Sequence, residues 1–204
     1  MGHPKLSILI PAAGTSERLG HAKQLVKLGG TALIQNAVNI AQSIGPYEIL
    51  VVTGANAKAV KDAVPHPPVR WVHNPDWLSG MGGSIALGAV ETCPESTGLM
   101  VLLCDQWRVQ EKDLRTLAET WQTDPGRIVC AHSNGINMPP VIFPSGCLDG
   151  LRKLKGHQGA RNLLKEHADL LIPVSIKNAT FDLDTPTQLG EMGSEGEMGE
   201  MGSE

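Results

Sequence analysis

Residues 10–25 read Ile-Pro-Ala-Ala-Gly-Thr-Ser-Glu-Arg-Leu-Gly-His-Ala-Lys-Gln-Leu. Small side chains at Ala12, Ala13, Gly14, Thr15 and Ser16 let backbone N–H groups come close to an anion. Arg18 and Lys23 bring two cations to the same stretch. The combination suggests a cradle for a polyphosphate. Spacing excludes two better-known phosphate loops. A Walker A loop has four residues between its glycines and then Lys-Ser or Lys-Thr. Here five residues separate Gly14 from Gly20, and His21 follows. No Gly-x-Gly-x-x-Gly triplet of the dinucleotide-binding type occurs. The plain alternative is a surface loop carrying two solvated cations.

Carboxylates stand at two other places where chemistry is expected. Asp105 ends the apolar run 99–103, and strand C-termini face the ligand crevice of a parallel sheet. A carboxylate there suits Mg²⁺, which takes one or two carboxylates and completes its shell with water and phosphate oxygens. A strand-ending aspartate that caps the next helix is the alternative. Asp182 and Asp184 flank Leu183 in an extended segment, and only one of the two is expected to face the crevice beside Asp105. Thr185 and Pro186 then look like the cap and first residue of a short final helix.

Two glycine-rich stretches could meet ligand. Residues 74–84 read Asn-Pro-Asp-Trp-Leu-Ser-Gly-Met-Gly-Gly-Ser, with a helix expected from about Gly83. A helix start favours an anion or a carbonyl-bearing base, and Asn74, Gly80 and Ser84 are the candidates there. Trp77 is expected to anchor this loop by packing. Residues 155–161 read Lys-Gly-His-Gln-Gly-Ala-Arg, where Arg161 could fork onto phosphate.

These residues need a scaffold, and apolar runs supply one. Segments 6–10, 48–53, 69–72, 99–103 and 127–131 read as strands, their unbroken Val, Ile and Leu content fitting burial on both faces. Helical patterns cover 32–43, 57–64, 83–92, 110–121, 145–154 and 157–167. This alternation predicts an α/β fold: a doubly wound, mostly parallel sheet. The expected organisation is one domain over 1–190. The Gly, Met and Glu repeat of 191–204 is expected to be a disordered acidic tail.

Bulk properties narrow the function. Charged residues make up 19% and apolar residues 41% of 204 positions. Five of 21 acidic residues lie in the last 14 positions, leaving residues 1–190 with 17 basic and 16 acidic side chains. That balance argues against nucleic acid as partner. No apolar run approaches the ~20 residues of a membrane span, and no signal peptide is read at the N-terminus, so a cytoplasmic location is expected. Cys93, Cys104, Cys130 and Cys147 show no C-x-x-C pairing and read as reduced thiols. Cys104 is read as a buried small apolar residue despite its place beside Asp105.

Taken in order, these segments resemble the molybdenum cofactor cytidylyltransferase-like (MobA-like) nucleotidyltransferases. That family shows Leu-Ala-Ala-Gly-x-Ser-x-Arg-x-Gly-x-x-Lys, matched from Pro11 to Lys23 except at Pro11. Its Asn-Pro-x-Trp-x-x-Gly-Met-x-x-Ser is matched from Asn74 to Ser84. Gly159-Ala160-Arg161 and Asp182-x-Asp184-Thr185-Pro186 follow in the family's order, with Asp105 between. The chain departs in three places. Gln106 and Trp107 follow Asp105 where the family has proline. In the stretch 134–140, read as a loop, Met138 and Pro139 precede Pro140 in place of Gly and His. His157 and Gln158 stand in the motif that ends at Arg161.

The resemblance implies the nucleotidyltransferase fold and a reaction. A terminal phosphate of the acceptor attacks the α-phosphorus of a nucleoside triphosphate, CTP being favoured over GTP, and pyrophosphate leaves. Arg18, Lys23 and Asp105 are the implied catalytic residues. Nucleotide contacts are implied for Ala12, Ala13, Gly14, Thr15, Ser16, Arg18, Lys23, Asn74, Gly80 and Ser84. Mg²⁺ is the implied cofactor on Asp105 and Asp184, with Asp182 as the other candidate. Pro140, Gly159 and Arg161 are implied on the acceptor side, the acceptor being a molybdopterin-type cofactor and a molybdoenzyme an implied partner. The alternatives are transfer to another phosphorylated small molecule, such as a sugar phosphate or methylerythritol phosphate, and a non-catalytic pterin carrier.

Overall fold

The computed structural model describes residues 4–16, 19–65, 68–156, 159–185 and 187–190. Arg18, His157, Gln158, Pro186 and the 191–204 tail lie outside them.

In chain order the regular elements are β1 (Leu6–Ala12), β2 (Lys27–Leu28), β3 (Thr31–Ala32), α1 (Leu33–Ser43), β4 (Glu48–Thr53), α2 (Ala57–Asp62), β5 (Arg70–His73) and α3 (Met81–Glu91). They continue with β6 (Gly98–Val101), α4 (Glu111–Thr123), β7 (Ile128–Ser133), β8 (Ile136–Pro144), α5 (Leu148–Arg152), α6 (Arg161–Glu166) and β9 (Leu171–Ser175).

Seven strands form one sheet in the order β5-β4-β1-β6-β8-β7-β9. All its pairings are parallel except the two made by β8. Alternate residues of the central strands feed two separate cores, as the two-residue period of a strand requires. Ile8, Ile10, Ile49, Val51 and Met100 pack under α1 and α4, around the fully buried Trp121. Leu9, Leu50, Val52, Leu99 and Val101 pack under α3, α5 and α6. Both faces are therefore covered, which explains why these strands read as unbroken apolar runs.

The five expected strands and the expected helices are present with shifted ends. The helix expected over 145–154 is a 3-10 turn, Ser145–Cys147, followed by the short α5. Two strands of the seven-stranded sheet went unanticipated, as did the short β2–β3 pair. β8 forms a hairpin with β7 across Asn134-Gly135, whose φ values of 51° and 76° suit a tight turn of the mirror-image class. Residues 134–140 are thus turn and strand rather than loop. β9 forms an edge and carries Pro173, where a missing N–H is tolerated.

The sheet order also locates the crevice. From β1 the chain moves outward to β4 and β5, then returns to place β6 on the other side of β1. The gap at the C-terminal ends of β1 and β6 is a topological switch point, where open α/β sheets bind ligands.

Candidate active site

The loop after β1 and the segment after β6 meet at that switch point. A pocket with a cavity volume of about 340 Å³ opens there, lined by Ala13, Gly14, Thr15, Ser16, Lys23, Gly80, Ser84, Asp105 and Asp184 among others. Nine residues singled out from sequence are therefore brought together. Ala12 and Asn74 stand behind the lining, both buried. Ser16 holds the loop's turn at φ 60°. Its hydroxyl accepts the Lys23 N–H at 3.2 Å, and its carbonyl accepts Leu19 N–H at 3.0 Å.

Lys23 is the centre of the charge arrangement. Its Nζ donates to Asp105 Oδ2 and, at 3.0 Å, to Asp184 Oδ1. Burial opposes the ammonium charge, but Asp105 and then Asp184 outweigh it and hold Lys23 above the ordinary lysine range. Asp105 arrives on the β6 extension. Asp184 is placed by Leu183, whose N–H donates to Asp105 O at 3.0 Å and whose side chain is fully buried against Leu19 and Leu33. Gln188 Oε1 accepts the N–H groups of Asp184 (2.9 Å) and Thr185 (2.8 Å). Thr185 Oγ1 accepts Gln188 N–H at 3.4 Å, so Thr185 and Gln188 cap each other in the expected fashion.

Asp182 is the more exposed carboxylate and does not line the pocket. Residues two apart in a regular strand share a face, but this segment is not a strand and the pair is split. Desolvation, then the charges of Asp105 and Asp184, push the Asp182 carboxyl above its usual range. Among the described residues no three His, Cys, Asp or Glu side chains converge as ready-made metal ligands. The two carboxylates that grip Lys23 nevertheless fit a hard cation, which needs only one or two such oxygens from protein.

At the far end of the pocket Asn74 Nδ2 donates to Ser84 Oγ at 3.1 Å, and Asn74 Oδ1 accepts Asp76 N–H at 3.0 Å. Gly80 caps α3 at φ 102°, ψ −178°, a backbone open in practice to glycine alone. The helix starts at Met81, ahead of the expected Gly83, and Ser84 lies in its first turn. Trp77 packs as expected, partly buried against the core and lining the pocket. A Cβ on Gly54 would come within 2.6 Å of both Ala13 O and Trp77 Cβ, so only glycine lets this loop approach.

The acceptor-side candidates are less gathered. Pro140, Gly159 and Arg161 do not line the pocket. Gly82 N–H donates to Gly156 O at 2.8 Å and holds Gly156 beside the start of α3, and Gly159 lies beside Met81. Arg161 is exposed at the start of α6. Pro139 and Pro140 bulge from the ladder, since Cys130 pairs with Val141 and Ala131 with Met138. That bulge frees Pro139 O, which accepts Gln106 Nε2 at 2.8 Å; the same nitrogen donates to Ala179 O at 2.8 Å. Gln106 thus replaces the family's proline with a clamp under Asp105. Cys104 is buried, and burial followed by the adjacent Asp105 charge pushes its thiol up to about 12. It is a neutral packing group.

This fold is the one shared by nucleotidyltransferases of the nucleotide-diphospho-sugar type, and the chain is an enzyme of that class. Residues 8–170 match the MobA-like NTP transferase domain, and the chain belongs to that family. Over 197 residues it is 30% identical to the nicotine blue oxidoreductase of Paenarthrobacter nicotinovorans, covering 91% of this chain and 95% of that one. Over 119 residues it is 34% identical to the bifunctional protein GlmU of Legionella pneumophila subsp. pneumophila, spanning 57% of this chain and 25% of that protein. The crystal structure of Rv0371c from Mycobacterium tuberculosis H37Rv superposes with a TM-score of 0.80 at 22% identity, over 94% of this chain and 98% of that one. The same mycobacterial protein has a structure in complex with manganese.

Among the described residues no helix is long and apolar enough to cross a membrane.

Proposed function

We propose that the chain transfers CMP from CTP to the terminal phosphate of a molybdopterin-type cofactor, with release of pyrophosphate. A phosphate oxygen of the acceptor attacks the α-phosphorus, the bond from that phosphorus to the β-phosphate oxygen breaks, and pyrophosphate carries the charge away. No protein nucleophile is needed. The observation that carries the reading is Lys23 held between Asp105 and Asp184 beside the Ala13–Ser16 loop.

Each group then has a task in positioning and charge neutralisation. The loop's N–H groups cradle the triphosphate. Lys23 turns from its carboxylates to the α-phosphate, and Arg18 meets the leaving pyrophosphate. Asp105 and Asp184 would hold a divalent ion, with Asp182 as the other candidate, and the ion would supply charge neutralisation on the phosphate oxygens. Asn74 orients Ser84, whose hydroxyl reads the base edge. Pro140, Gly159 and Arg161 border the acceptor approach.

Incubation with CTP, Mg²⁺ and a pterin cofactor bearing a terminal phosphate is expected to release pyrophosphate and form a mixed dinucleotide. Absence of both products with this acceptor, alongside turnover with a sugar phosphate, would replace the acceptor and keep the chemistry. A second reading is favoured by one finding, the full-length relative named as an oxidoreductase. In a vessel supplied with a reduced nicotinamide or flavin cofactor and an oxidised aromatic acceptor, it predicts two-electron transfer from the cofactor to that acceptor, and no pyrophosphate release from CTP.

A further inference from the structure

Gln24 is 3% exposed although its side chain is polar. It sits in the one-turn 3-10 helix Lys23–Leu25, directly after the pocket lysine. Its Nε2 donates to Gly14 O at 2.9 Å and to Ala12 O at 3.3 Å. Carbonyl oxygens only accept, so the nitrogen must face them. Between these two, Ala13 O accepts Ala55 N–H at 3.1 Å. Three successive loop carbonyls are therefore held by protein donors.

The peptide unit converts that fact into a direction. In a planar trans peptide, C=O and N–H point opposite ways. The carbonyls of Ala12 and Gly14 share their planes with the N–H groups of Ala13 and Thr15. Pinning both carbonyls to Gln24 aims both N–H groups away from it, and Ala13 and Thr15 line the pocket. The Gln24 amide also carries a cost. Among the described residues its Oε1 is buried without a hydrogen-bond partner, a state worth about 1–3 kcal/mol of destabilisation.

We infer that Gln24 is the positioning residue of the anion cradle: its amide nitrogen staples the Ala12 and Gly14 carbonyls so that the Ala13 and Thr15 N–H groups meet a polyphosphate. The inference rests on the nucleotide reading above. Gln24→Met keeps the length and removes both donors. Gln24→Glu keeps the shape, and its protonated form regains a single O–H donor.

The test joins ¹⁵N relaxation on ligand-free protein with calorimetric titration of Mg·CTP and steady-state kinetics. Gln24→Met strands the Ala12 and Gly14 carbonyls but also removes the orphaned Oε1, so the expected result is a folded protein melting within a few degrees of wild type. Order parameters at Gly14 and Thr15 fall from the rigid range near 0.85 toward 0.6 or less. The Kd and KM for CTP rise at least about tenfold, while kcat changes by less than about threefold. Gln24→Glu recovers affinity relative to Gln24→Met as pH falls from 7.5 to 5.5, which a packing role would not produce. Wild-type CTP affinity and a rigid loop in folded Gln24→Met overturn the inference. If Gln24→Met does not fold, the pH series on Gln24→Glu decides, and a flat ratio to wild type overturns it. If wild type binds none of the four Mg·NTPs, the nucleotide reading falls, and relaxation on ligand-free protein still decides whether Gln24 orders the loop.

Discussion

Lys23 is held where a divalent ion would sit, between the carboxylates of Asp105 and Asp184. A buried ammonium is tolerated only while paired, and removing it leaves carboxylates uncompensated. Lys23→Met is therefore expected to lower stability, to cut pyrophosphate release on the order of 10²-fold or more, and to strengthen Mn²⁺ binding to nucleotide-free protein. Electron paramagnetic resonance titration of Mn²⁺ checks the last point. Because its folded pKa is raised, the Lys23 contribution to stability is full below the ordinary value of 10.5 and is lost only as pH rises through the higher folded value. Activity between pH 6 and 9 should thus show no step from this lysine. Asp105 was legible in sequence because a charge stands out after an apolar strand, Lys23 because it follows a run of small residues, and Asp184 because it repeats Asp182 beside an apolar Leu183. Gln24 and Gln106 were not, because their partners are backbone carbonyls, which every residue carries.

Elements decide how firmly those side chains are held. Gln106 joins the β8 bulge to the 3-10 turn at Ala179, tying two segments to the strand that presents Asp105. Gln106→Leu strands two carbonyls and should cost about 1–3 kcal/mol, read as a lower urea midpoint, with a larger fall in kcat than in CTP affinity. Gly80→Ala forces a side chain into φ 102° at the cap of α3. It should cost about 1–3 kcal/mol and weaken CTP binding, since the first turn carries Ser84. The hairpin of β7 and β8 was hidden by its prolines. Asn134-Gly135 is a strong turn signal, yet Pro139, Pro140 and Pro144 made the next strand read as loop. The bulge resolves the conflict by placing Pro139 and Pro140 outside the paired ladder. β9 was hidden likewise by Pro173, which an edge strand tolerates.

Across the whole molecule, the fold was legible because burial on both sheet faces imposes continuous apolar strands between helices. The acceptor was less so, since Pro140, Gly159 and Arg161 do not line the pocket and His157 and Gln158 lie outside the described segments. The same deep burial has a consequence at high pH. Cys104 is pushed up to about 12 and Cys130 to about 11, mainly by desolvation, from an ordinary 9.0. Unfolded chain releases those thiol protons above pH 9 while folded protein keeps them, so stability falls as pH rises from 9 toward 11. Cys104 alone contributes up to about 1.4 kcal/mol per pH unit, and Cys104→Ala should flatten the urea midpoint over that range.

The most direct test of nucleotide binding at this site is thermal unfolding of the wild-type chain with each Mg·NTP in turn. Ligand that binds only native protein raises its apparent stability with concentration over Kd. The account predicts a clear, concentration-dependent rise with Mg·CTP, a smaller rise with the other three, and a much weaker response in Lys23→Met. No shift with any nucleoside triphosphate at millimolar concentration would contradict it.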